Sequence, residues 1–215
     1  LCKSHYTITI QYLTTNSHMI KEDILLKFGA CKMTYKKGDF LFNEGDYPKF
    51  FYQILSGSVK MNNFNDEGKE FIQGIFSTGQ TFGEPPLFIN KPYPSNAMAI
   101  SHTTVYAIHK EAFFRLLLTN PEVNLAVSEV LSQRLYYKSI MASELSSQDA
   151  EHRIIKLIDY FKEEIGVPSD VKYKVSLTRQ QIADLTGLRV ETVIRAIKTL
   201  EQKGGLKIKD RKIFR

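Results

Sequence analysis

The sequence predicts an α+β protein, in which a strand-rich roll is followed by a long helix and then by a small basic module of helices and a hairpin. Three observations lead there. Between Cys31 and about His109 short apolar runs (FLF, FFYQIL, SVKM, EFIQGIF, TVYAI) alternate with glycine-bearing turns (EGD, SG, DEGK, STGQ), the texture of a compact antiparallel roll of about eight strands. Helical periodicity returns over residues 110 to 145. The charge excess is confined to the last third of the chain.

A chain of 215 residues is long enough for two domains, each with its own core. Residues 1–18 show no sustained amphipathic period and read as a disordered or non-native extension, with Met19 as the natural start. Ile20, Ile24, Leu25 and Phe28 then repeat at helical spacing, and Gly29 is a C-cap candidate. The predicted division is 19–120 for the roll, 121–145 for the long helix and 146–215 for the basic module.

Residues 1 to 149 hold 14 Lys+Arg and 14 Asp+Glu, whereas residues 150 to 215 hold 15 against 9. The whole net charge of +6 therefore sits on the C-terminal module, as a phosphate-backbone binder would place it, or as a merely solvated basic surface would. Cys2 and Cys31 are too few for a disulfide framework and form no CxxC pair. The five histidines are scattered, and no metal-ligand cluster or nucleophile motif occurs, so neither an enzyme nor a metal site is expected. No apolar run is long enough to span a membrane, and a cytoplasmic, membrane-free protein is expected.

Within the long helix, which Pro121 opens, Val123, Val127, Val130, Tyr137 and Met141 follow a 4-3 seam interrupted by Arg134. Leu131 and Leu135 flank that seam and are expected to pack back on the roll. Two readings stay open: a helix that dimerises on one side, or an internal core helix. Ser146 to Asp149 break the pattern and supply cap chemistry for a further helix to about Ile165, which marks a hinge. Val171, Tyr173 and Val175 alternate as a strand.

The stretch LTRQQIADLTGLRVETVIRAIKTLEQK, Leu177 to Lys203, has the layout of a helix-turn-helix. Thr178 caps the first helix, Ile182, Ala183 and Leu185 give its buried side, and Gly187 suits a turn with positive φ. Val193, Ala196, Ile197 and Leu200 form the inward face of the second helix. Arg189, Val190, Glu191, Thr192, Ile194, Arg195 and Lys198 are left outside. Glu191 and Arg195 lie one turn apart, where a carboxylate can accept from cytosine N4 and a guanidinium can bond guanine O6 and N7. Such a pair is also a common i,i+4 ion pair on a solvated helix. Val190 and Ile194 suit thymine methyl groups, or cover by a neighbouring helix. The run LKIKDRKIFR then reads as a hairpin wing, with Lys207 among the cations available for phosphate.

LTRQQIADLTGLRVETVIRAIKTLE resembles the winged-helix signature of the cyclic-AMP receptor protein and fumarate-nitrate reduction regulator family. YKKGDFLFNEGD, YQILSGSVKM, DEGKEFIQGI and FGEPPLF are similar to that family's cyclic-nucleotide-binding-type β-roll, so the likeness covers about Met19 to Arg215. It implies a long dimerisation helix, a C-terminal winged helix-turn-helix, and a homodimeric transcription regulator that binds a two-fold-symmetric operator on double-stranded DNA, with RNA polymerase as a further partner. By position Glu191 and Arg195 match the base-reading pair, while Arg179, Gln180 and Lys198 match backbone-contacting positions. Val190 stands as in the redox-regulator type rather than the cyclic-AMP type.

The resemblance also implies a ligand pocket at Gly83, Glu84, Ser95 and Asn96, met by Lys138 and Ser139 from the long helix. Here the chain departs from the family. Pro94 occupies the position of the phosphate-binding Arg, and a proline offers neither charge nor an N–H. The expected cofactor is therefore none, with a cyclic nucleotide as the alternative, and the iron–sulfur variant lacks its cysteines.

Overall fold

The computed structural model describes residues 19–68, 70–146, 149–168 and 170–215. The expected extension at 1–18, and Ser147 and Gln148 of the expected hinge, lie outside the described residues. A short helix α1 (Glu22–Lys27) precedes eight strands in two four-stranded antiparallel sheets. One sheet runs in the order β1 (Cys31–Tyr35), β8 (Thr103–His109), β3 (Phe50–Ser56), β6 (Thr81–Phe82). The other runs β2 (Phe40–Phe42), β7 (Asn96–Ala99), β4 (Ser58–Phe64), β5 (Glu70–Ser77). Helix α2 (Glu84–Ile89) lies between β6 and β7.

The alternation read from the sequence has its physical origin between these sheets. Ile54, Val59, Phe82, Ala97, Val105 and Ala107 face inward and exclude water, as alternate residues along each strand do. A second cluster forms where the outer face of the roll meets the helices. Phe51, Tyr106 and Ile108 pack there against α3 (Lys110–Thr119) and the start of α4 (Pro121–Ser146). Gln53 ties the entering chain to this layer, donating from Nε2 to the Ile20 carbonyl and accepting from the Ile20 N–H, both at 2.8 Å.

The α4 seam differs from the expectation. Val123 and Val127 are buried in the roll cluster with Leu131 beside them, whereas Leu125, Leu135 and Tyr136 are 70%, 67% and 71% exposed. Tyr137 turns instead toward the C-terminal module, stacking on Tyr160 at 3.5 Å between ring centroids. The 4-3 spacing is real, but it belongs to the face that packs inside the chain. Each buried valine contributes about 1.5–3 kcal/mol there, which an isolated helix read by periodicity alone does not reveal.

The C-terminal module has its own core: Ile154, Leu157 and Ile158 of α5 (Ala150–Glu164) pack against Ile182 and Ala183 of α6 (Arg179–Thr186) and Val193, Ile197 and Leu200 of α7 (Val190–Gln202). Asp149 caps α5 by accepting from the N–H groups of Glu151 and His152, which satisfies two orphan donors. Strands β9 (Lys207–Lys209) and β10 (Lys212–Phe214) form the wing. The expected strand at 171–175 is a short addition to its edge, with Tyr173 and Arg215 exchanging backbone hydrogen bonds at 2.7 and 2.8 Å. Among the described residues no helix is long and apolar enough to cross a membrane.

Candidate DNA-reading face and effector cassette

The second module is built to hold α7 at a fixed angle. Thr178 and Gln181 form a reciprocal capping box at the start of α6, worth about 1 kcal/mol. Gly187 ends α6 at φ +69°, a conformation that costs a side-chain-bearing residue about 1–2 kcal/mol. Buried Arg153 of α5 donates from Nη1 to the Thr186 carbonyl at 3.0 Å, fixing the turn from below.

On α7 the sequence expectation for the inner face matches the structure residue for residue: Val193, Ala196, Ile197 and Leu200 are buried. Arg189, Glu191, Ile194, Arg195 and Lys198 are exposed, and Thr192 is half-buried. Glu191 and Arg195 make no ion pair with each other or with any described residue. The simple i,i+4 pair is thus not formed, and both charged groups face water with their donors and acceptors free. Val190 is the exception to the outward set, being half-buried against the module core. Its neighbour Ile194, 38% exposed, is the apolar group left on the open face.

Other members of the set lie nearby with different constraints. Gln180 is exposed and donates to Asp184 at 2.8 Å, and Arg179 donates from Nη1 to the Arg211 carbonyl at 3.2 Å. Lys207 is exposed on β9. Asp210 and Arg211 form the hairpin tip with positive φ of 49° and 62°. Arg211 is among the wing cations expected to meet phosphate; what the sequence left unstated is that it stands where a two-residue hairpin turn favours glycine.

The cassette in the roll follows a different logic. Gly83 adopts φ +77°, and a Cβ there would lie 3.1 Å from the Phe42 ring and 3.3 Å from Tyr93, so the chain can pass only as glycine. Glu84 follows at the first turn of α2 and is 1% exposed. Arg134 of α4 reaches it: Nη1 donates to both carboxylate oxygens at 3.1 Å, and Nη2 donates to the Thr81 carbonyl at 2.7 Å. The guanidinium carbon sits 4.9 Å over the Phe76 ring, a cation–π contact. Arg134 is the site residue that sequence reasoning passed over, having treated it as an interruption of the seam. A charge inside an apolar helical stripe, with a buried Glu elsewhere needing a partner, was the available signal.

The remaining cassette candidates do not converge on an anion. Ser95 is buried, and its hydroxyl has no hydrogen-bond partner; neither do the buried hydroxyls of Thr81 and Tyr93. Asn96 is committed to the sheet, accepting from the Glu44 N–H at 2.9 Å and donating to the Asn62 carbonyl at 3.3 Å. Ser139 donates to its own helix at the Leu135 carbonyl, 2.9 Å away. Lys138 borders a small cavity with Arg134, Tyr137, Phe76 and Gln73, and desolvation with the nearby Arg134 charge lowers its pKa. Lys91 is exposed.

A cyclic nucleotide is the group this kind of roll implies, and these residues do not fit it. Tyr93 stacks on Phe42 at 3.5 Å and seals one side of Gly83. Pro94 contributes only its carbonyl, which accepts from Asn63 at 2.7 Å, and the unpaired hydroxyls carry no charge to match a phosphate.

A β-roll joined through a long helix to a basic winged helix-turn-helix with an open outer face defines a DNA-binding regulator. Comparison with known proteins agrees. The cyclic nucleotide-binding domain matches residues 32–120, and the Crp-like helix-turn-helix domain matches residues 152–214. The cAMP-activated global transcriptional regulator CRP of Haemophilus influenzae is 30% identical over 170 residues, covering 78% of this chain and 75% of that protein. The transcriptional activator protein Anr of Pseudomonas protegens is 28% identical, covering 78% and 69%. Among solved structures, a CooA variant from Carboxydothermus hydrogenoformans shares the fold with a TM-score of 0.75 at 20% identity, covering 91% of this chain and 87% of that one. The chain belongs to the CRP/FNR family, and it is a DNA-binding transcription regulator.

Proposed function

We propose that the chain acts as a homodimer on a two-fold-symmetric operator, each protomer seating α7 in the major groove. The observation that carries this is the unpaired outer array of Glu191, Ile194, Arg195 and Lys198 on a helix whose opposite face is buried. Charged groups held without partners on a rigid helix are pre-organised for a ligand that supplies complementary groups. Arg195 bonds a guanine edge, Glu191 accepts from a cytosine amino group, and Ile194 meets a thymine methyl. Val190 contributes less, being half-covered. Arg179, Gln180, Arg189, Thr192, Lys198, Lys207 and Arg211 contact or orient toward phosphate.

The dimer forms along the exposed stripe of α4 rather than the expected seam. Leu125, Ser128, Ser132, Leu135, Ser139 and Ala142 are all exposed and follow a strict 3-4 spacing, which presents one continuous face to a partner helix. Ser128, Ser132 and Ser139 donate their hydroxyl protons to carbonyls four residues back, at 2.9, 2.7 and 2.9 Å. Those hydroxyls can be buried at a close helix contact at little cost. Residues 19–120 serve as the roll, 121–145 as the dimer helix and 146–215 as the DNA module, with RNA polymerase as the downstream partner of family members.

Several relatives are named as cAMP-activated; Pro94, which brings neither charge nor an N–H to the cassette, argues against that effector here. The test is an anisotropy titration of the full chain against promoter-derived and scrambled duplexes over a range of salt. A preference for a two-fold-symmetric duplex that persists at higher salt is expected. Equal binding to every duplex at every salt would overturn the reading.

A further inference from the structure

We propose that the outer face of the wing sheet is a second phosphate-binding surface, which takes the backbone of the duplex beyond the base pairs that α7 reads. This rests on the reading of the chain as a DNA-binding regulator, and adds where further DNA is held.

The wing is a sheet of three short strands. The edge segment at 173–175 joins β10 through the paired Tyr173 and Arg215 bonds, the Val175 N–H donates to the Ile213 carbonyl at 2.9 Å, and Lys174 stands beside Phe214. Phe214 is paired in turn with Lys207, and Lys212 with Lys209. Side chains alternate between the two faces of such a sheet. Tyr173, Val175, Ile208 and Ile213 turn inward to the module core, so Lys172, Lys174, Lys207, Lys209, Lys212 and Phe214 share the outer face. All five lysines are exposed, and they are a third of the 15 Lys and Arg in residues 150–215.

The charge of this face is left unbalanced. Among the described residues none of the five lysines is paired with a carboxylate. The acids nearest in sequence are placed elsewhere: Glu201 accepts from the Ile208 N–H, Asp159 is held by Arg215, Asp210 is at the hairpin tip, and Asp170 lies in the turn before the edge segment. Lys209 and Lys212 are direct cross-strand partners, an arrangement in which like charges destabilise a sheet. Lys172 lies 4.7 Å over the Phe214 ring, a cation–π contact that keeps its ammonium on the face. Mutually repelling ammonium groups around an aromatic floor fit a polyanion, and a duplex backbone supplies closely and regularly spaced charges.

The position of the face points to flanking duplex. Glu191, Arg195 and Lys198 occupy the earlier part of α7, and β9 begins at Lys207 after that helix has ended at Gln202. The lysine face thus starts past the end of the reading helix. Its one edge, Lys209 and Lys212, adjoins Arg211 at the wing tip, and its other edge is Lys174 and Lys172. A duplex seated on α7 and on the tip brings its continuing backbone to that far edge. Such contacts add affinity without sequence information.

The test uses the full chain and two operator duplexes. One ends at the last base pair read by each α7, and the other is extended by about ten base pairs of arbitrary sequence on each side. Extension is expected to tighten wild-type binding about tenfold at about 0.1 M salt and to steepen the slope of log K against log salt. The double variant Lys172→Gln, Lys174→Gln keeps both side-chain stems and removes both charges. It should lose most of that gain, with a slope on the long duplex lower by about 1.8, and bind the short duplex as the wild type does. Should the double variant fail to fold by circular dichroism, Lys174→Gln alone decides, with about half the slope change.

No gain on extension overturns the second surface, as does a gain that the lysine variants keep. A loss of equal size on both duplexes also overturns it, because the lysines then meet phosphates inside the half-site. Wild-type protein that binds operator and scrambled duplexes alike at every salt instead removes the DNA-binding reading beneath it.

Discussion

The two charged sites of this molecule handle their charges in opposite ways. On α7 an acid and a base lie one turn apart in reach of each other, and neither takes the other as partner. In the roll, Glu84 and Arg134 lie 50 residues apart in sequence and are bound together out of water. Exposure decides the difference. On a solvated helix an i,i+4 pair gains only about 0.3–0.5 kcal/mol, too little to hold two long side chains in one arrangement. In a buried cassette an unmatched carboxylate costs several kcal/mol, so pairing is enforced. The open pair is available to a partner; the closed pair is architecture.

The hardest test of that contrast removes the closed pair. Arg134→Met keeps the length and apolar contacts of the side chain against Phe76 but strands the Glu84 carboxylate. It is expected to lower the unfolding free energy by about 3–5 kcal/mol. Adding Glu84→Gln should recover part of that loss, since the buried charge is then gone. Urea unfolding followed by circular dichroism measures both. A single variant as stable as the wild type would mean that the cassette tolerates an unpaired carboxylate, and the contrast with α7 would collapse.

The same contrast explains what was legible in the sequence. The DNA module could be read almost completely, because its signals are local: the cap at Thr178, the glycine at 187 and the 3-4 spacing of Val193, Ala196, Ile197 and Leu200 all act within a turn or two. The strand count of the roll could be read for the same reason. The α4 seam could not. Periodicity showed that Val123 and Val127 face something apolar, but whether that was a second subunit or the roll depends on a cluster that includes Leu25, Phe51 and Ile108, far away in sequence. The exposed stripe through Leu125, Ser132 and Leu135 was masked by its serines, which look polar until their hydroxyls are seen to bond the helix itself. Glu84 could be singled out from the motif around it, but the residue it pairs with, Arg134, stands 50 residues further along the chain, where no local pattern joins the two.

A second test separates residues on the open face by kind. Arg195→Ala is expected to cost about 1–3 kcal/mol on the preferred duplex and to relax preference at one base pair, leaving the others unchanged. Lys207→Ala, on the wing, should weaken all duplexes alike and reduce the slope of log K against log salt by about 0.9 for the one phosphate no longer neutralised. Fluorescence anisotropy across a panel of single-base variants at several salt concentrations measures both. If the two substitutions gave the same pattern, the open face would not be divided into readers and anchors, and the free Glu191 and Arg195 would lose their significance.

The smallest effect concerns Arg211, where stability and affinity are expected to move in opposite directions. Residues 209 to 212 close a two-residue hairpin in which Asp210 and Arg211 both have positive φ, a turn for which Asp-Gly is a preferred pair. Holding arginine there costs about 1 kcal/mol, partly offset because glycine is freer in the unfolded chain. Arg211→Gly should therefore raise the stability of the protein by a few tenths of a kcal/mol, up to about 1, and the Arg179 bond, which goes to the backbone carbonyl, should survive. Affinity should fall for every duplex alike, with a shallower salt slope. A gain in stability with no loss of affinity would show that the strained arginine serves no phosphate, and that unpaired charge on this module is not by itself a sign of DNA contact.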